Sequence, residues 1–308
     1  MNFHRPLRGI IPPLVTPLRD RDTVDADALE RLVASLIQGG VHGLFTLGTT
    51  GEAPSLSGEL RREVIERVCD QCRDRIPVVV GVSDTSVVES LRLAEHAALC
   101  GASAVVTTAP YYYPLTQTEV LEFLERVSGE YALPLFLYDL PSHVRFRFEA
   151  ETVRRAAEFP NIWGIKDSTG DLEQFLRVRE ALSDRPDFAI LVGPEQLLGA
   201  AVSRGAHGGV CGGANLYPEL YVGLYEAAAA GNTAEVKRLH ETVMSICERI
   251  YTVGDKQSSY LRAMKCALAW KGIGTGFVAE PYSPLRGDER ESIRESMVEL
   301  GILAQPVH

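Results

Sequence analysis

Lys166 is the residue of this 308-residue chain whose surroundings most clearly indicate chemistry. It lies in the apolar run Ile162–Lys166, where burial of a charged ammonium is costly and the neutral amine is favoured. A neutral amine at pH 7 is a nucleophile toward carbonyl carbons and can form a Schiff base. Position alone leaves a second interpretation open, in which the lysine extends from a strand end into solvent.

Hydroxyl groups that could move protons near this amine follow neighbouring apolar runs. Tyr138 ends the run that precedes that of Lys166, so the two side chains are expected at the same level of adjacent strands. Thr49 and Thr50 follow another run, and tyrosines at 111–113 follow a third. A tyrosine–threonine–tyrosine chain is available for acid–base catalysis, although each tyrosine alone could be a packing residue.

Two glycine-flanked loops could bind an anion. Gly48–Gly51 directly follows an apolar run, and its backbone N–H groups and threonine hydroxyls could hold a carboxylate; an ordinary tight turn is the alternative. Gly208–Gly213 has the composition of a phosphate-binding barrel loop, but its glycines could instead let the backbone approach a substrate closely. The residues leave both interpretations of each loop open.

The segments that must position these residues alternate regularly along the chain. Short runs rich in Val, Ile, Leu and Phe are typical of strands buried on both faces, and the amphipathic stretches between them predict helices. Eight such runs occur, at 9–18, 43–48, 76–82, 104–110, 134–141, 162–168, 188–194 and 208–213. Eight successive units predict an α/β fold, a (β/α)₈ TIM barrel, with its active-site groups at the C-terminal strand ends.

The last part of the chain contains no further strand-like run and predicts about three helices. We expect a barrel domain over residues 1–231 and a C-terminal helical extension over residues 232–308 that packs on the barrel, because no flexible linker separates them. Helices are also expected to begin at four N-cap residues, Asp25, Ser57, Thr116 and Asp171.

The composition limits the partners and the location. A net charge of −10 argues against nucleic acid or an anionic membrane as the main partner. No segment has the pattern of a signal peptide or the apolar length of a membrane span, so the cytoplasm is the expected location. Cys69 and Cys72 form a C-x-x-C pair within a helical pattern, without further ligands nearby, which favours reduced thiols over a zinc or redox site.

Four motifs occur in the order and spacing of a known family: GTTGE at 48–52, the tyrosines of PYYYP at 110–114, Y-x-x-P at 138–141 and G-x-K at 164–166. By these motifs the chain resembles the dihydrodipicolinate synthase / N-acetylneuraminate lyase family of class I aldolases over essentially its whole length. The resemblance implies that Lys166 forms a Schiff base with a 2-oxo acid, pyruvate. A carbon–carbon bond to an aldehyde is then made or broken, without a metal or organic cofactor.

The resemblance also implies roles for the other site residues. Tyr138 would shuttle protons, with Thr49 and Tyr112 as the other members of a hydroxyl relay, and Tyr112 would reach in from a neighbouring subunit. Family members are commonly homotetramers built as dimers of dimers, which implies the same assembly here. We expect the substrate to be bound by Gly48, Thr50, His143, Ser168, Gly193, Glu195 and Cys211.

Departures from the family bear on the substrate. His143 stands where dihydrodipicolinate synthases have an arginine that binds the carboxylate of the aldehyde, and a histidine is a poorer clamp; Arg145 lies two residues further on. Of the acidic pair of sialic acid lyases only Glu195 is retained. Glu195, Ser168 and Asn215 could nevertheless hydrogen-bond a polyhydroxylated chain.

The predicted function is therefore a Schiff-base lyase that acts on a 2-oxo-3-deoxy sugar acid. Dihydrodipicolinate (4-hydroxy-tetrahydrodipicolinate) synthase, which condenses pyruvate with aspartate semialdehyde, is the alternative within the family. Outside the family, Gly208–Gly213 would allow a phosphate-binding barrel isomerase, and a non-catalytic binder on the same scaffold is a third hypothesis.

Overall fold

The structure, a computed structural model, describes residues 5–254 and 256–304. Its centre is an eight-stranded parallel sheet in which each strand pairs with its neighbour along the chain. The strands are β1 (Gly9–Ile10), β2 (Leu44–Thr46), β3 (Val78–Gly81), β4 (Ala104–Thr108), β5 (Leu135–Asp139), β6 (Ile162–Asp167), β7 (Ala189–Val192) and β8 (Gly208–Gly209). β8 pairs with β1, and the ring closes where the N–H of Leu14 donates to Phe45 O at 2.8 Å. The predicted (β/α)₈ barrel is confirmed.

Helices form the layer outside the barrel. They are α1 (Ala26–Gln38), α2 (Gly58–Cys72), α3 (Val87–Leu99), α4 (Gln117–Ser128), α5 (Pro141–Val144), α6 (Ala150–Ala156), α7 (Leu172–Ala181), α8 (Leu198–Val202), α9 (Pro218–Ala229), α10 (Thr233–Arg249), α11 (Ser259–Trp270) and α12 (Gly287–Glu299). The four predicted N-caps are confirmed, since the side chains of Asp25, Ser57, Thr116 and Asp171 each accept a backbone N–H from the first turn.

All eight strands are shorter than their apolar runs, and β1 and β8 contain only two residues each. β1 ends at Ile10 because Pro12 and Pro13 have no N–H to donate to a ladder, and Leu18 belongs instead to a two-stranded hairpin before α1. β8 contains only two of its expected six residues, since the chain turns into a 3₁₀ helix at Gly212. The strand ends that carry the polar residues keep their predicted positions.

The barrel interior is filled by a small apolar core that includes Phe45, Phe136 and Tyr138. Because side chains alternate along a strand, Tyr138 points inward, whereas the next residue, Asp139, points to the helical layer. The same alternation on β6 places Lys166 inside and Asp167 outside. The residues with predicted chemistry therefore face the interior at the C-terminal end of the barrel.

The helices that follow Gly231 lie against the barrel. Lys271 Nζ donates to Leu216 O at 2.6 Å, and Lys265 of α11 pairs with Glu52 in the turn after β2. The division of the chain at Gly231 into two domains stays a prediction, and residues 1–4, 255 and 305–308 of these domains lie outside the described residues.

The C-x-x-C pair lies on the buried side of a helix. Cys69 and Cys72 are free and buried near the end of α2, and burial raises the pKa of both thiols to about 12. No helix in the described ranges has both the length and the apolarity that a membrane crossing requires.

Candidate active site

A cavity of about 510 Å³ lies at the C-terminal ends of the strands, where this fold places its active-site groups. Loops after β2, β5, β6, β7 and β8 form one part of its wall, and segments around α11 form the rest. The predicted residues that line it are Thr49, Thr50, Tyr138, His143, Lys166, Ser168, Gly193 and Glu195. The structure thus brings together residues that are up to 146 positions apart in the chain.

Lys166 lies near the end of β6 with its side chain inside the barrel. Only 6% of its surface is exposed. Its Nζ lies 4.1 Å from the centre of the Tyr138 ring and 5.0 Å from the centre of the Phe45 ring. Tyr138 is the register partner of Lys166 on β5. The interpretation in which this amine extends into bulk solvent is therefore wrong.

The phenol of Tyr138 faces the hydroxyl of Thr49 at 3.4 Å. Burial by itself raises the pKa of the phenol. The Lys166 ammonium, together with hydrogen bonds to Thr49, Lys166 and Ser168, outweighs burial and leaves the pKa below its ordinary value. A phenol that releases its proton more readily is suited to exchange protons with an intermediate formed at Lys166.

The turn at 48–52 contributes Thr49 and Thr50 to the cavity lining and contains backbone donors that have no acceptor among the described residues. The chain enters and leaves it through left-handed residues, Leu47 at φ 56° and Glu52 at φ 57°. The N–H of Glu52 donates to Thr49 O within the turn, whereas the N–H groups of Thr49 and Thr50 have no acceptor among the described residues. Two adjacent N–H groups beside two hydroxyls are suited to bind a carboxylate.

Glu52 attaches this turn to the C-terminal helices. Its carboxylate forms an ion pair with Lys265 of α11, and both side chains are almost fully buried. Its Oε1 also accepts the N–H of Ala279 at 2.7 Å. Burial lowers the pKa of Lys265, and the neighbouring Glu52 carboxylate opposes that shift.

Glu195 is buried in the cavity wall, where hydrogen bonds satisfy its carboxylate. The N–H of Gly213 donates to Oε1 at 2.6 Å, and the hydroxyls of Tyr221 and Tyr251 donate to Oε2, the latter at 3.2 Å. Burial raises the pKa of the carboxyl, although these hydrogen bonds act in the opposite direction.

This arrangement argues against a phosphate site at Gly208–Gly213. The N–H of Gly213 is already bound to the Glu195 carboxylate, and that carboxylate would repel a phosphate. A side chain at Gly213 would overlap the hydroxyl of Tyr221. The glycines of this loop therefore make room for tyrosine hydroxyls, which arrive from helices that the loop sequence does not reveal.

Three of the predicted site residues do not line the main cavity. Gly48 lines a smaller adjoining cavity of about 250 Å³. Cys211 is fully buried behind the wall, where burial raises the pKa of its thiol far above the ordinary value. Tyr112 is 75% exposed in the loop after β4, outside the cavity of its own chain.

His143 lines both cavities, and its Nδ1 lies 2.9 Å from the Ser142 hydroxyl. The side chain is partly exposed to solvent, and its partial burial lowers the pKa of the imidazole below the ordinary value, which favours the neutral ring at pH 7. Arg145 is exposed, with φ 53°, and the structure does not place it in the cavity wall. The structure therefore gives no support to Arg145 as a replacement for the family's arginine.

Asn215 serves the fold rather than the substrate. Its amide donates to Pro13 O at 3.0 Å and to Gly212 O at 2.8 Å, and its Oδ1 accepts the N–H of Val15 at 3.1 Å. The expectation that Asn215 hydrogen-bonds a substrate chain is wrong, because its side chain is already engaged and buried.

Within the described residues, no group of three or more His, Cys, Asp or Glu side chains could hold a metal ion.

Three tyrosines of the wall were not identified from the sequence, namely Tyr251, Tyr260 and Tyr282, of which the first two interact with each other. The hydroxyl of Tyr260 in α11 lies 3.4 Å from Thr50 Oγ1. Tyr251, which follows α10, packs edge-on against Tyr260 with ring centres 4.8 Å apart. Both tyrosines occur in amphipathic helical segments without a motif, so no local signal distinguishes them from packing residues.

A family model described as the dihydrodipicolinate synthetase family matches residues 6–300. A protein of Halobacterium salinarum, described as an uncharacterized DapA-like lyase, is 33% identical over 96% of this chain and 95% of its own length. The 4-hydroxy-tetrahydrodipicolinate synthase of Methanopyrus kandleri is 31% identical over 97% of this chain and 98% of its own length.

Solved structures show the same similarity. The structure of a dihydrodipicolinate synthase from Bacteroides thetaiotaomicron has a TM-score of 0.94 and 49% identity, covering 96% of this chain and all of that one. A prophage protein of the dihydrodipicolinic acid synthase family from E. coli K12, solved in complex with pyruvate, has a TM-score of 0.91 and 26% identity over 97% of this chain and all of its own.

Proposed function

The chain belongs to the dihydrodipicolinate synthetase family of lyases and synthases, and on that premise we propose that it cleaves or forms a 2-oxo-3-deoxy sugar acid through a Schiff base at Lys166. The two products of cleavage are pyruvate and an uncharged, hydroxylated aldehyde. The E. coli relative solved in complex with pyruvate supports pyruvate as the 2-oxo acid.

The mechanism begins with attack of the Lys166 amine on the 2-oxo carbon. Tyr138, paired with Thr49, exchanges the protons that allow water to leave, and an iminium results. The iminium draws electrons from the carbon chain of the substrate. Tyr138 takes the proton of the substrate's C4 hydroxyl, and the C3–C4 bond of the substrate breaks. The aldehyde leaves, and the pyruvate enamine is protonated and hydrolysed; synthesis follows the same steps in reverse.

The charge of the cavity is the main reason to propose an uncharged aldehyde rather than one that has a carboxylate. Among the described residues that line it, Lys166 is the sole lysine or arginine, and the Schiff base consumes its amine. The wall also contains the Glu195 carboxylate and a neutral His143. A carboxylate on the aldehyde would meet no compensating cation, whereas hydroxyl groups could pair with Ser168 and Gln196.

Dihydrodipicolinate synthase is the second candidate function. The 49% identical Bacteroides protein and several curated relatives bear that name, which favours condensation of pyruvate with aspartate semialdehyde. That aldehyde carries a carboxylate, for which the cavity offers His143 where dihydrodipicolinate synthases have an arginine. The two candidates therefore differ in the charge of the aldehyde that the enzyme accepts.

The proposal includes a cytoplasmic homotetramer, built as a dimer of dimers, in which Tyr112 completes the site of a neighbouring subunit. The exposure of Tyr112 and Tyr113, at 75% and 74%, supports this role because both rings are available to a second copy. The smaller cavity beside Tyr138 and Thr49 could receive such a ring.

Reductive trapping tests the proposal. Incubation with pyruvate and borohydride is expected to add one reduced pyruvate to Lys166, detected by mass, and the Lys166→Ala variant is expected to show no adduct. Turnover of a panel of uncharged 2-oxo-3-deoxy sugar acids, compared with condensation of aspartate semialdehyde, then separates the two candidates. Failure of the wild-type protein to form the adduct would overturn the Schiff-base mechanism, and a preference for aspartate semialdehyde would overturn the choice of substrate.

A further inference from the structure

We infer that the hydroxyl of Tyr260, on α11, donates a hydrogen bond to the carboxylate of the 2-oxo acid and completes the binding site that Thr49 and Thr50 begin. This inference rests on the proposed function, because it concerns the same cavity. It assigns to the C-terminal helices a residue that contacts the substrate.

The geometry of the turn supports this role. The hydroxyl oxygen of Thr49 lies 3.4 Å from the phenol oxygen of Tyr138. The hydroxyl oxygen of Thr50 lies at the same distance from the phenol oxygen of Tyr260. The N–H groups of both threonines have no acceptor among the described residues. Thr49, Thr50 and Tyr260 all line the cavity, so an anion at this turn can receive the two backbone N–H groups and the hydroxyls of Thr50 and Tyr260.

Gly212 provides the space that the phenol needs. A Cβ atom at this position would overlap the Tyr260 hydroxyl and would lie 3.0 Å from ring carbon Cζ. The backbone of Gly212 is not in the left-handed region, so its conformation alone does not require glycine. The loop after β8 thus lacks a side chain at the point where the hydroxyl of Tyr260 enters the wall.

The surroundings of Tyr260 keep its proton in place. Burial, followed by the negative charge of Glu195, raises the pKa of this phenol, whereas the phenol of Tyr138 has a lowered pKa. Glu195 itself accepts hydrogen bonds from Gly213, Tyr221 and Tyr251, so its described contacts leave the Tyr260 hydroxyl free to donate elsewhere. Tyr260 is therefore a constant donor, as a carboxylate ligand must be, while Tyr138 can exchange its proton.

The Tyr260→Phe variant tests the inference by removing the hydroxyl and keeping the ring. The pyruvate concentration that gives half-maximal borohydride trapping is expected to rise roughly 10- to 100-fold, the usual strength of a hydrogen bond to a charged group. Adduct at saturating pyruvate should remain complete, and KM for a cleaved sugar acid should rise while kcat changes little. The matched control is Tyr131→Phe, which removes a buried phenol bonded to Ser90 at 2.9 Å, outside the cavity, and should leave half-saturation unchanged.

Gly212→Ala provides a second variant that leaves Tyr260 in the chain. The added methyl group is expected to displace the phenol and to raise the pyruvate concentration for half-maximal trapping by a similar factor. In a Gly212→Ala/Tyr260→Phe double variant this concentration should rise little further than in Tyr260→Phe alone, because both changes remove the same interaction. Unchanged half-saturation in Tyr260→Phe would overturn the inference, as would a loss confined to kcat for the sugar acid. If wild-type protein is trapped by pyruvate, such a result leaves the proposed function intact; if wild-type protein is not trapped, the proposed function itself fails.

Discussion

At the scale of single residues, the site contains two phenols whose surroundings favour opposite proton behaviour. Tyr138 lies beside the amine of Lys166, and Tyr260 lies near the carboxylate of Glu195. Burial raises the pKa of both phenols; at Tyr260 the Glu195 carboxylate adds to this effect, whereas at Tyr138 the charge of Lys166 and hydrogen bonds outweigh it. Divergent pKa values among similar groups in one cavity are typical of different tasks, which agrees with the proposed proton exchange at Tyr138 and the proposed hydrogen-bond donation by Tyr260.

A substitution at His143 tests what the cavity accepts. His143→Arg would place a guanidinium in the wall, where it can pair with a carboxylate on the aldehyde. We expect kcat/KM for condensation with aspartate semialdehyde to rise about 10-fold or more, while that for uncharged aldehydes falls or stays the same.

Arg145→Ala is the matched control, because Arg145 is close in the chain but absent from the described cavity wall. It should leave both activities unchanged. Equal changes for charged and uncharged aldehydes in His143→Arg would contradict the charge argument.

At the scale of elements, the sequence predicts contacts between neighbouring βα units better than contacts with distant elements. Lys166 and Tyr138 could be placed together because both end apolar runs and parallel strands align their C-terminal ends. Tyr260 could not be placed beside Thr50, because 210 residues separate them and no pairing rule relates α11 to the second strand. Cys211 was expected in the cavity, but the chain turns there and buries its side chain behind the wall.

The link between the turn after β2 and α11 predicts a stability effect. Lys265→Met would leave the buried Glu52 carboxylate without its partner, and we expect the free energy of unfolding to fall by about 3–5 kcal/mol. The measurement is urea denaturation at pH 7. A Glu52→Gln/Lys265→Met double variant removes both charges and should lose less than Lys265→Met alone, since no unpaired charge remains. A double variant less stable than Lys265→Met would contradict this interpretation.

The outward-facing carboxyls of β5 and β6 predict a dependence of stability on pH. Burial, and then the charge of Asp167, raises the pKa of Asp139 from 3.8 to about 7. The unfolded chain loses this proton near pH 4 but the folded protein keeps it, so this group's contribution to stability is lost as pH rises toward 7. Asp139→Asn removes that loss and can still accept the N–H of Phe148. Its free energy of unfolding, relative to wild type, should increase between pH 4 and pH 8 by on the order of 2–4 kcal/mol.

Asp84→Asn is the control of opposite sign. Burial raises the pKa of Asp84, but its hydrogen bonds to Ser86 N–H and Arg61 outweigh burial and leave the pKa below its ordinary value. The folded protein therefore binds this proton less readily than the unfolded chain, and the stability from Asp84 is present above pH 4 and lost in acid. Asp84→Asn should destabilise the protein at pH 8 and have less effect near pH 3. A flat difference for Asp139→Asn across the same series would contradict the assignment.

At the scale of the whole molecule, the cavity belongs to the barrel and to the C-terminal helices together. The strands supply Lys166 and Tyr138, whereas Tyr251 and Tyr260 come from the chain after Gly231. Glu52 and Lys265 join the two parts through a buried ion pair. The C-terminal helices are therefore part of the site. Sequence variation in these helices can change which substrate the site accepts, while Lys166 and Tyr138 stay in place.

The proposed assembly predicts that inactive chains can restore each other. If Tyr112 serves a neighbouring subunit, Lys166→Ala and Tyr112→Phe chains form mixed dimers in which one site has an intact lysine and receives an intact tyrosine. Co-expression of the two chains with different tags, followed by purification on both, should give clear cleavage activity from two weakly active parents. In an unselected equal mixture about a quarter of the sites would be complete, as expected for random pairing across a symmetric interface. Mixed dimers no more active than the average of their parents would show that Tyr112 has no role in a partner's site.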